Sequence, residues 1–127
     1  MAADPHRALV ERYLAAYNDF DIPGMLSVLD PAIEFRNLTN GAVTAAADGL
    51  EEFRKLAERA AELFRSRRQT VTSYVAVGDR AMAAVDYHGV LAADLSPELR
   101  AGETLRLSGR STFDFRDGRI TRIVDES

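Results

Sequence analysis

Polar and apolar residues alternate through the last third of the chain. Leu105, Leu107, Gly109, Ser111, Phe113 and Phe115 share one parity, and Arg106, Ser108, Arg110, Thr112 and Asp114 the other. A period of two is that of a half-buried β-strand. Asp117-Gly118 comes next, a dipeptide suited to the positive φ angles of a tight hairpin, and a second short alternating stretch runs on to Asp125. The pattern predicts a hairpin with one buried face, on which Ser111 is the polar interruption.

The first half follows a helical period. Asp4-Pro5 supplies an N-cap oxygen and a proline at the first helical position. Leu9, Tyr13, Ala16, Tyr17 and Phe20 then fall on one face of a helix expected to end near Asn18 or Asp19. Asp21 caps a second helix expected over 22–29, which Asp30-Pro31 stops. Residues 32–37 read as a short strand with Ile33, Phe35 and Asn37 on one face and Glu34 and Arg36 on the other. The small and polar residues 38–47 read as a loop with room for a short strand. Asp48 opens a third helix, with Glu51 completing a capping box. Its apolar stripe is Leu50, Phe53, Leu56, Ala57, Ala60, Leu63 and Phe64, and Glu51 and Lys55 are placed to pair on its wet side. Arg65, Arg67 and Arg68 read as its solvated end, where cations suit the helix dipole.

Beyond Arg68 the period becomes two. Strands are expected over 69–77 and 80–91 around a Gly78-Asp79 turn, with 93–102 as a connecting loop containing Pro97. Helices first and antiparallel strands later describe an α+β fold: a curved mixed, mostly antiparallel sheet wrapped around three helices. At 127 residues this is one domain spanning 1–127. Charge and composition remove several functions. A net charge of -4 without a long basic run argues against nucleic acid. No cysteine is present, which excludes disulfides and thiolate chemistry. The charged start MAADPHRALVERY lacks an apolar leader core, and no run approaches the roughly 18 apolar residues a membrane span needs, so a cytoplasmic location is expected.

The order of elements, with Tyr13, the stretch NDFDIPGMLSVLDPAIEFRN, Gly49 and FRDGRI, resembles the nuclear transport factor 2-like superfamily in its SnoaL-like and ketosteroid-isomerase-like branches. The resemblance implies a cone-shaped barrel with a central pocket, and homodimers through the outer sheet face. It aligns Tyr13 with the isomerase's oxyanion-hole tyrosine, Asn37 with its general-base aspartate and Ser111 with its protonated aspartic acid. SnoaL-type cyclases place their acid/base aspartate at the position of Ser111 and a histidine near Leu91. None of Asn37, Ser111 and Leu91 can exchange a proton near neutral pH, so the family's usual acid/base groups are missing from those positions. An epoxide-hydrolase-like Asp-Arg-Asp arrangement finds no convincing place either.

The expected pocket is therefore apolar with neutral polar groups: Tyr13, Tyr17, Phe35, Asn37, Tyr87, Ser111 and Phe113. It suits a small, mostly apolar molecule bearing one oxygen, with neither cofactor nor metal implied; His88 lacks a second ligand at metal spacing. Each residue has a plainer reading, as a core tyrosine, a loop-start asparagine or a packed serine. Asp125 shares the parity of Thr121 and Ile123, against Ile120, Arg122 and Val124, unless a bulge intervenes; it is expected to be a solvated terminal charge, the alternative being a surviving catalytic acid beside Tyr13. Glu34 has the wrong parity for the pocket. The alternatives to a binding module are an enzyme with a different catalytic set and a structural dimerisation module.

Overall fold

Three antiparallel hairpins make up one sheet, joined to one another by a further antiparallel pairing and a single parallel contact. The computed structural model of the chain describes residues 4–127; residues 1–3, which begin the stretch read against a leader, lie outside them. The elements are α1 (Pro5–Asn18), α2 (Ile22–Leu26), β1 (Leu29–Thr39), β2 (Ala42–Asp48), α3 (Leu50–Glu62), β3 (Phe64–Val77), β4 (Arg80–Leu91), β5 (Thr104–Arg116) and β6 (Arg119–Glu126). The sheet order is β2-β1-β6-β5-β4-β3, with β1 and β6 parallel and every other pair antiparallel. The sheet curves without closing, and the helices lie against its inner face.

Local chemistry sets the helix starts. The Asp4 carboxylate accepts from the His6 and Arg7 amides at 3.0 and 3.2 Å, with Pro5 at the first helical position. Asp21 accepts from the Gly24 amide at 3.0 Å and caps α2. α2 is shorter than the expected 22–29, because Leu29 begins β1 by pairing with Ile120 of β6. The α3 start also differs. Gly49, at φ 89°, is the N-cap and Asp48 closes β2. Glu52, not Glu51, reaches back to the Asp48 amide at 3.0 Å, while Asp48 pairs with Arg36 at 2.9 Å. Glu51 is bonded to Arg54 in place of Lys55.

The short strand allowed within 38–47 is present and longer than a loop reading suggests, while a second expectation about the sheet is overturned. Residues 38–47 form a tight hairpin: Asn40 and Gly41 take positive φ values of 53° and 81°, and β2 pairs with β1 from Thr39↔Ala42 to Glu34↔Asp48. Asn-Gly is itself a hairpin turn dipeptide, inconspicuous here among small residues. The arginine run is no helix end. β3 begins at Phe64 and pairs along the whole of β4, from Phe64↔Leu91 to Val77↔Arg80. Long-range pairing has overridden a weak local preference.

Phe113, Leu29, Ile33, Leu91, Ile120, Ile123, Val10 and Val28 are the largest wholly buried side chains. Each stabilises the fold by about 1.5–3 kcal/mol through burial alone. β4 behaves as its alternation predicts, with Ala81, Ala83, Val85, Gly89 and Leu91 buried and Met82, Asp86 and His88 exposed. The end of α1 is tied to edge strand β3 by Asn18, whose amide donates to the Gln69 carbonyl at 3.3 Å and accepts from the Gln69 amide at 2.8 Å. Asn18→Ala is expected to lower stability by about 1–3 kcal/mol, because both backbone groups of Gln69 lose their partner. Urea unfolding measures this; a change under about 0.5 kcal/mol, the range of ordinary surface substitutions, would show that water replaces the bridge at no cost.

Candidate functional site

A cavity of about 670 Å³ lies between α1, α3 and the inner face of the sheet. That is an ordinary size for a small-molecule site. Its apolar walls come from the α3 stripe (Phe53, Leu56, Ala57, Ala60 and Leu63), from Phe35 and Met25, and from Leu105 and Leu107 on β5. The same α3 stripe is legible in the sequence, where it reads only as a core face. Leu107, 44% exposed, stands at the mouth.

Six of the seven expected pocket residues line this cavity: Tyr13, Tyr17, Phe35, Asn37, Tyr87 and Ser111. Phe113 does not. It is 1% exposed and packs edge-on behind Tyr13, with ring centres 6.3 Å apart, so it supports the wall from within the core. Asn37 is held at the rim, donating to the Thr44 hydroxyl at 2.8 Å, and that hydroxyl donates back to the Asn37 carbonyl at 3.2 Å. Thr44 is the extra residue of a β-bulge, since Asn37 pairs with Ala45 and Leu38 with Val43. Glu34 faces outward and pairs with Arg122 at 3.6 Å. His88 is exposed on the far face of β4, and no group of residues able to hold a metal occurs among the described residues.

Asp125 is the main correction. It is no solvated terminal charge: it lines the cavity, and its carboxylate accepts from the Ser111 hydroxyl at 2.6 Å. Burial pushes its pKa up from 3.8 to about 6, and the Ser111 hydrogen bond pulls the other way. A bulge in β6 explains the placement. Arg116↔Arg119 and Phe115↔Ile120 follow from the tight turn, but Asp114 pairs with Arg122, so Thr121 is skipped. Phe113 therefore faces Ile123, and Ser111 faces Asp125. Without the bulge, Arg122 would lie opposite Phe113 in the core and Val124 opposite Ser111. The sequence carries the signal: Ile120 and Ile123 are three apart, and both can be buried on one strand face only if one residue is skipped. A carboxyl group is thus present beside position 111 after all, delivered from the neighbouring strand.

The tyrosines differ in their partners. Tyr13 is 4% exposed, and among the described residues its hydroxyl has no hydrogen-bond partner although it lines the cavity. Burial raises its pKa well above the ordinary value, and the nearby Asp125 charge raises it further. It is a neutral donor at any physiological pH. Tyr17 and Tyr87 are bonded to each other, hydroxyl to hydroxyl, at 2.9 Å. Burial raises both pKa values, and Arg67 opposes the rise in each. Arg67 belongs to the run read as a solvated helix end. It is instead 5% exposed, on the inner face of β3 opposite Gly89, with its Nε donating to the Tyr17 carbonyl at 2.9 Å. No sequence signal distinguishes it from Arg65 and Arg68 until the β3 register is known.

The elevated Asp125 pKa has a consequence for stability. The unfolded chain releases this proton near pH 3.8 and the folded chain near 6, so between those values the folded state binds more protons. Stability therefore falls as pH rises through that window, by at most about 3 kcal/mol and less to the extent that the cavity admits water. Asp125→Asn is expected to flatten that slope and to raise stability at pH 7 and above. Denaturant unfolding of both proteins between pH 4 and 7 is the measurement; parallel curves would mean that Asp125 titrates like an exposed carboxylate.

A model of the SnoaL-like domain matches residues 10–123 of the chain. No curated protein matches it. TsrD from Streptomyces laurentii is similar in structure, with a TM-score of 0.80 at 24% identity over 99% of this chain and 90% of that one. TerC, co-crystallised with polyporic acid, has a TM-score of 0.78 at 20% identity over 96% and 90%. A candidate polyketide cyclase from Xanthomonas campestris pv. campestris has a TM-score of 0.76 at 28% identity over 97% and 90%.

Proposed function

Because the chain belongs to the SnoaL-like domain family, we propose that its cavity binds a small, mostly apolar molecule bearing a carbonyl oxygen and moves a proton on it. The observation that carries this reading is the Asp125 carboxyl, in an apolar cavity and bonded to Ser111, with a pKa of about 6. A carboxyl of ordinary acidity is almost wholly ionised at neutral pH and a weak base. One near 6 exchanges protons readily in both directions. The resemblance to a candidate polyketide cyclase supports oxygenated carbon skeletons as the ligand class.

In this reading ionised Asp125 takes a proton from the carbon beside the carbonyl. The C–H electron pair becomes the enolate double bond, and the negative charge moves to the oxygen. Tyr13, whose hydroxyl has no partner among the described residues, donates to that oxygen. Asp125 then returns its proton to a second carbon of the same conjugated system, so no oxidant or cofactor enters. Ser111 holds the carboxylate rotamer and limits the rise of its pKa.

Thermal-shift screening with cyclic ketones of steroid, polyketide and terpenoid type, followed by hydrogen–deuterium exchange at the ligand's α-carbons, tests both halves. Binding ketones are expected to exchange faster with enzyme, with a rate that rises through about pH 6 as Asp125 ionises. Asp125→Asn should lose about 100-fold or more of that rate, and Tyr13→Phe should also lower it. Stabilisation without exchange leaves a carrier in place of an enzyme. No stabilisation by any apolar oxygenated compound sinks the cavity reading itself.

We also propose that the outer sheet face joins two copies of the chain. Val75 and Met82 are adjacent there at 57% and 43% exposure, while the flanking charges are already paired as Arg80–Asp114 and Arg110–Glu126. Sedimentation should give a dimer that Met82→Glu dissociates; a monomer at all concentrations overturns this.

A further inference from the structure

Arg67 presents an unresolved electrostatic problem. Its guanidinium lies 3.7 Å from the Tyr17 ring centre and 4.5 Å from that of Phe20. Nε is bonded to a backbone carbonyl, but both terminal nitrogens are buried without a partner. No carboxylate among the described residues forms an ion pair with it. A buried cation ordinarily has a partner, because removing it from water is costly. Cation–π contact offsets part of that cost and leaves the positive field uncancelled.

That field points toward the cavity through the tyrosines. Burial raises the pKa of both phenols. Against it Arg67 and the Gln69 amide favour the ionised form of Tyr17, while at Tyr87 the neighbouring Tyr17 adds to the rise and Arg67 is the smallest influence, favouring ionisation. Each phenol has one hydrogen. If Tyr17 donates its own to Tyr87 across the 2.9 Å contact, the hydrogen of Tyr87 is left on the cavity wall without an acceptor among the described residues. Hydrogen bonds in such a chain strengthen one another, and a cation against the first ring makes the last donor stronger.

The position of this donor matters as much as its strength. Ser111 faces Ala83 across β4–β5, and Tyr87 lies four residues further along β4 on the same inner face. The separation along the strand is about 13 Å at the backbone. One end of the cavity thus carries the Asp125 carboxyl, and the other a phenol backed by a buried cation.

We propose that Tyr87, relayed through Tyr17 and positioned by Arg67, forms a second oxygen-binding subsite, and that the ligand carries a second oxygen, anionic or strongly hydrogen-bond-accepting, seated there. This rests on the ligand-binding reading of the cavity and adds to it a specificity the Asp125 end does not supply. The class of ligand is an apolar, conjugated ring system with oxygens on opposite sides. The end with the acidic C–H and its carbonyl lies toward Asp125 and Tyr13, and the second oxygen lies toward Tyr87. Arg67 is a positioning residue here, since Tyr17 stands between it and the ligand.

The test compares two probes, 2-naphthol and 2,6-dihydroxynaphthalene, by fluorescence titration of the full chain. Absorbance reports the pH at which each bound probe ionises. The second hydroxyl is expected to tighten binding about tenfold, the worth of one good hydrogen bond to a polarised donor. Tyr87→Phe should abolish that gain, read as the ratio of the two affinities within each protein. Arg67→Met should raise the pH at which the bound diol ionises, and Arg67→Lys should restore most of the wild-type value. A purely structural role for Arg67 would alter stability without moving the ionisation of the probe. If Arg67→Met does not fold, as judged by circular dichroism, the Tyr87→Phe comparison decides alone. Equal affinity for the two probes, or a gain that survives Tyr87→Phe, overturns the second subsite alone. Failure of both probes to bind the wild-type chain overturns the cavity reading and this inference with it.

Discussion

One skipped residue in β6 decides what kind of cavity this fold contains. The Asp117-Gly118 turn starts the β5–β6 pairing in a register that would bring Arg122 under the helices. The bulge at Thr121 shifts everything beyond it by one position. A one-residue shift exchanges the two faces of a strand. Here it turns Arg122 outward to Glu34, buries Ile123 completely and turns Asp125 inward. The driving force is ordinary: a buried isoleucine is favourable, and a guanidinium opposite Phe113 would be very costly. The carboxyl of Asp125 arrives in the cavity as a consequence of core packing two residues away.

The cavity persists because large side chains are held at its boundary. Phe53 meets Phe35 edge-on at 5.6 Å and Tyr13 at 6.4 Å, and Phe113 backs Tyr13 from below. These rings brace one another and keep the apolar wall from collapsing onto Tyr13. At the opposite end, Gly89 leaves room for the Phe64 ring; a Cβ there would lie 2.8 Å from two of its carbons. Phe64 in turn packs against Tyr87 at 5.7 Å. Packing that looks purely structural thus fixes where each phenol points.

Relative to the arrangement that the family resemblance implies, the polar groups are redistributed and not deleted. Position 111 has a serine, but the carboxyl comes from the strand paired beside it and is hydrogen-bonded to that serine. Asn37 is engaged at the rim with Thr44, which separates it from the buried polar groups. Among the described residues the buried cation Arg67 pairs with no carboxylate; it lies against the Tyr17 ring, and Tyr17 is hydrogen-bonded to Tyr87. A carboxyl on one wall of an apolar chamber and a cation buried behind the tyrosines of another are placements that composition cannot reveal.

The α+β order, the capped first helix, the α3 stripe and the inner face of β4 and β5 were legible because each is a local periodicity. Turn and cap chemistry act within a few residues, and a period of two or 3.6 needs no knowledge of the partner. Tyr13 and Tyr17 fall on the apolar face of the first helix, and Tyr87 and Ser111 on the inner parity of their strands. The β2 hairpin was written in Asn40-Gly41 and was hidden by small side chains that carry little periodic signal. Asp125 and Arg67 were decided by tertiary structure. Their burial depends on register against a distant strand, Ser111 in one case and Gly89 in the other. Register is set by the best total packing of two faces, and no single stretch contains that information.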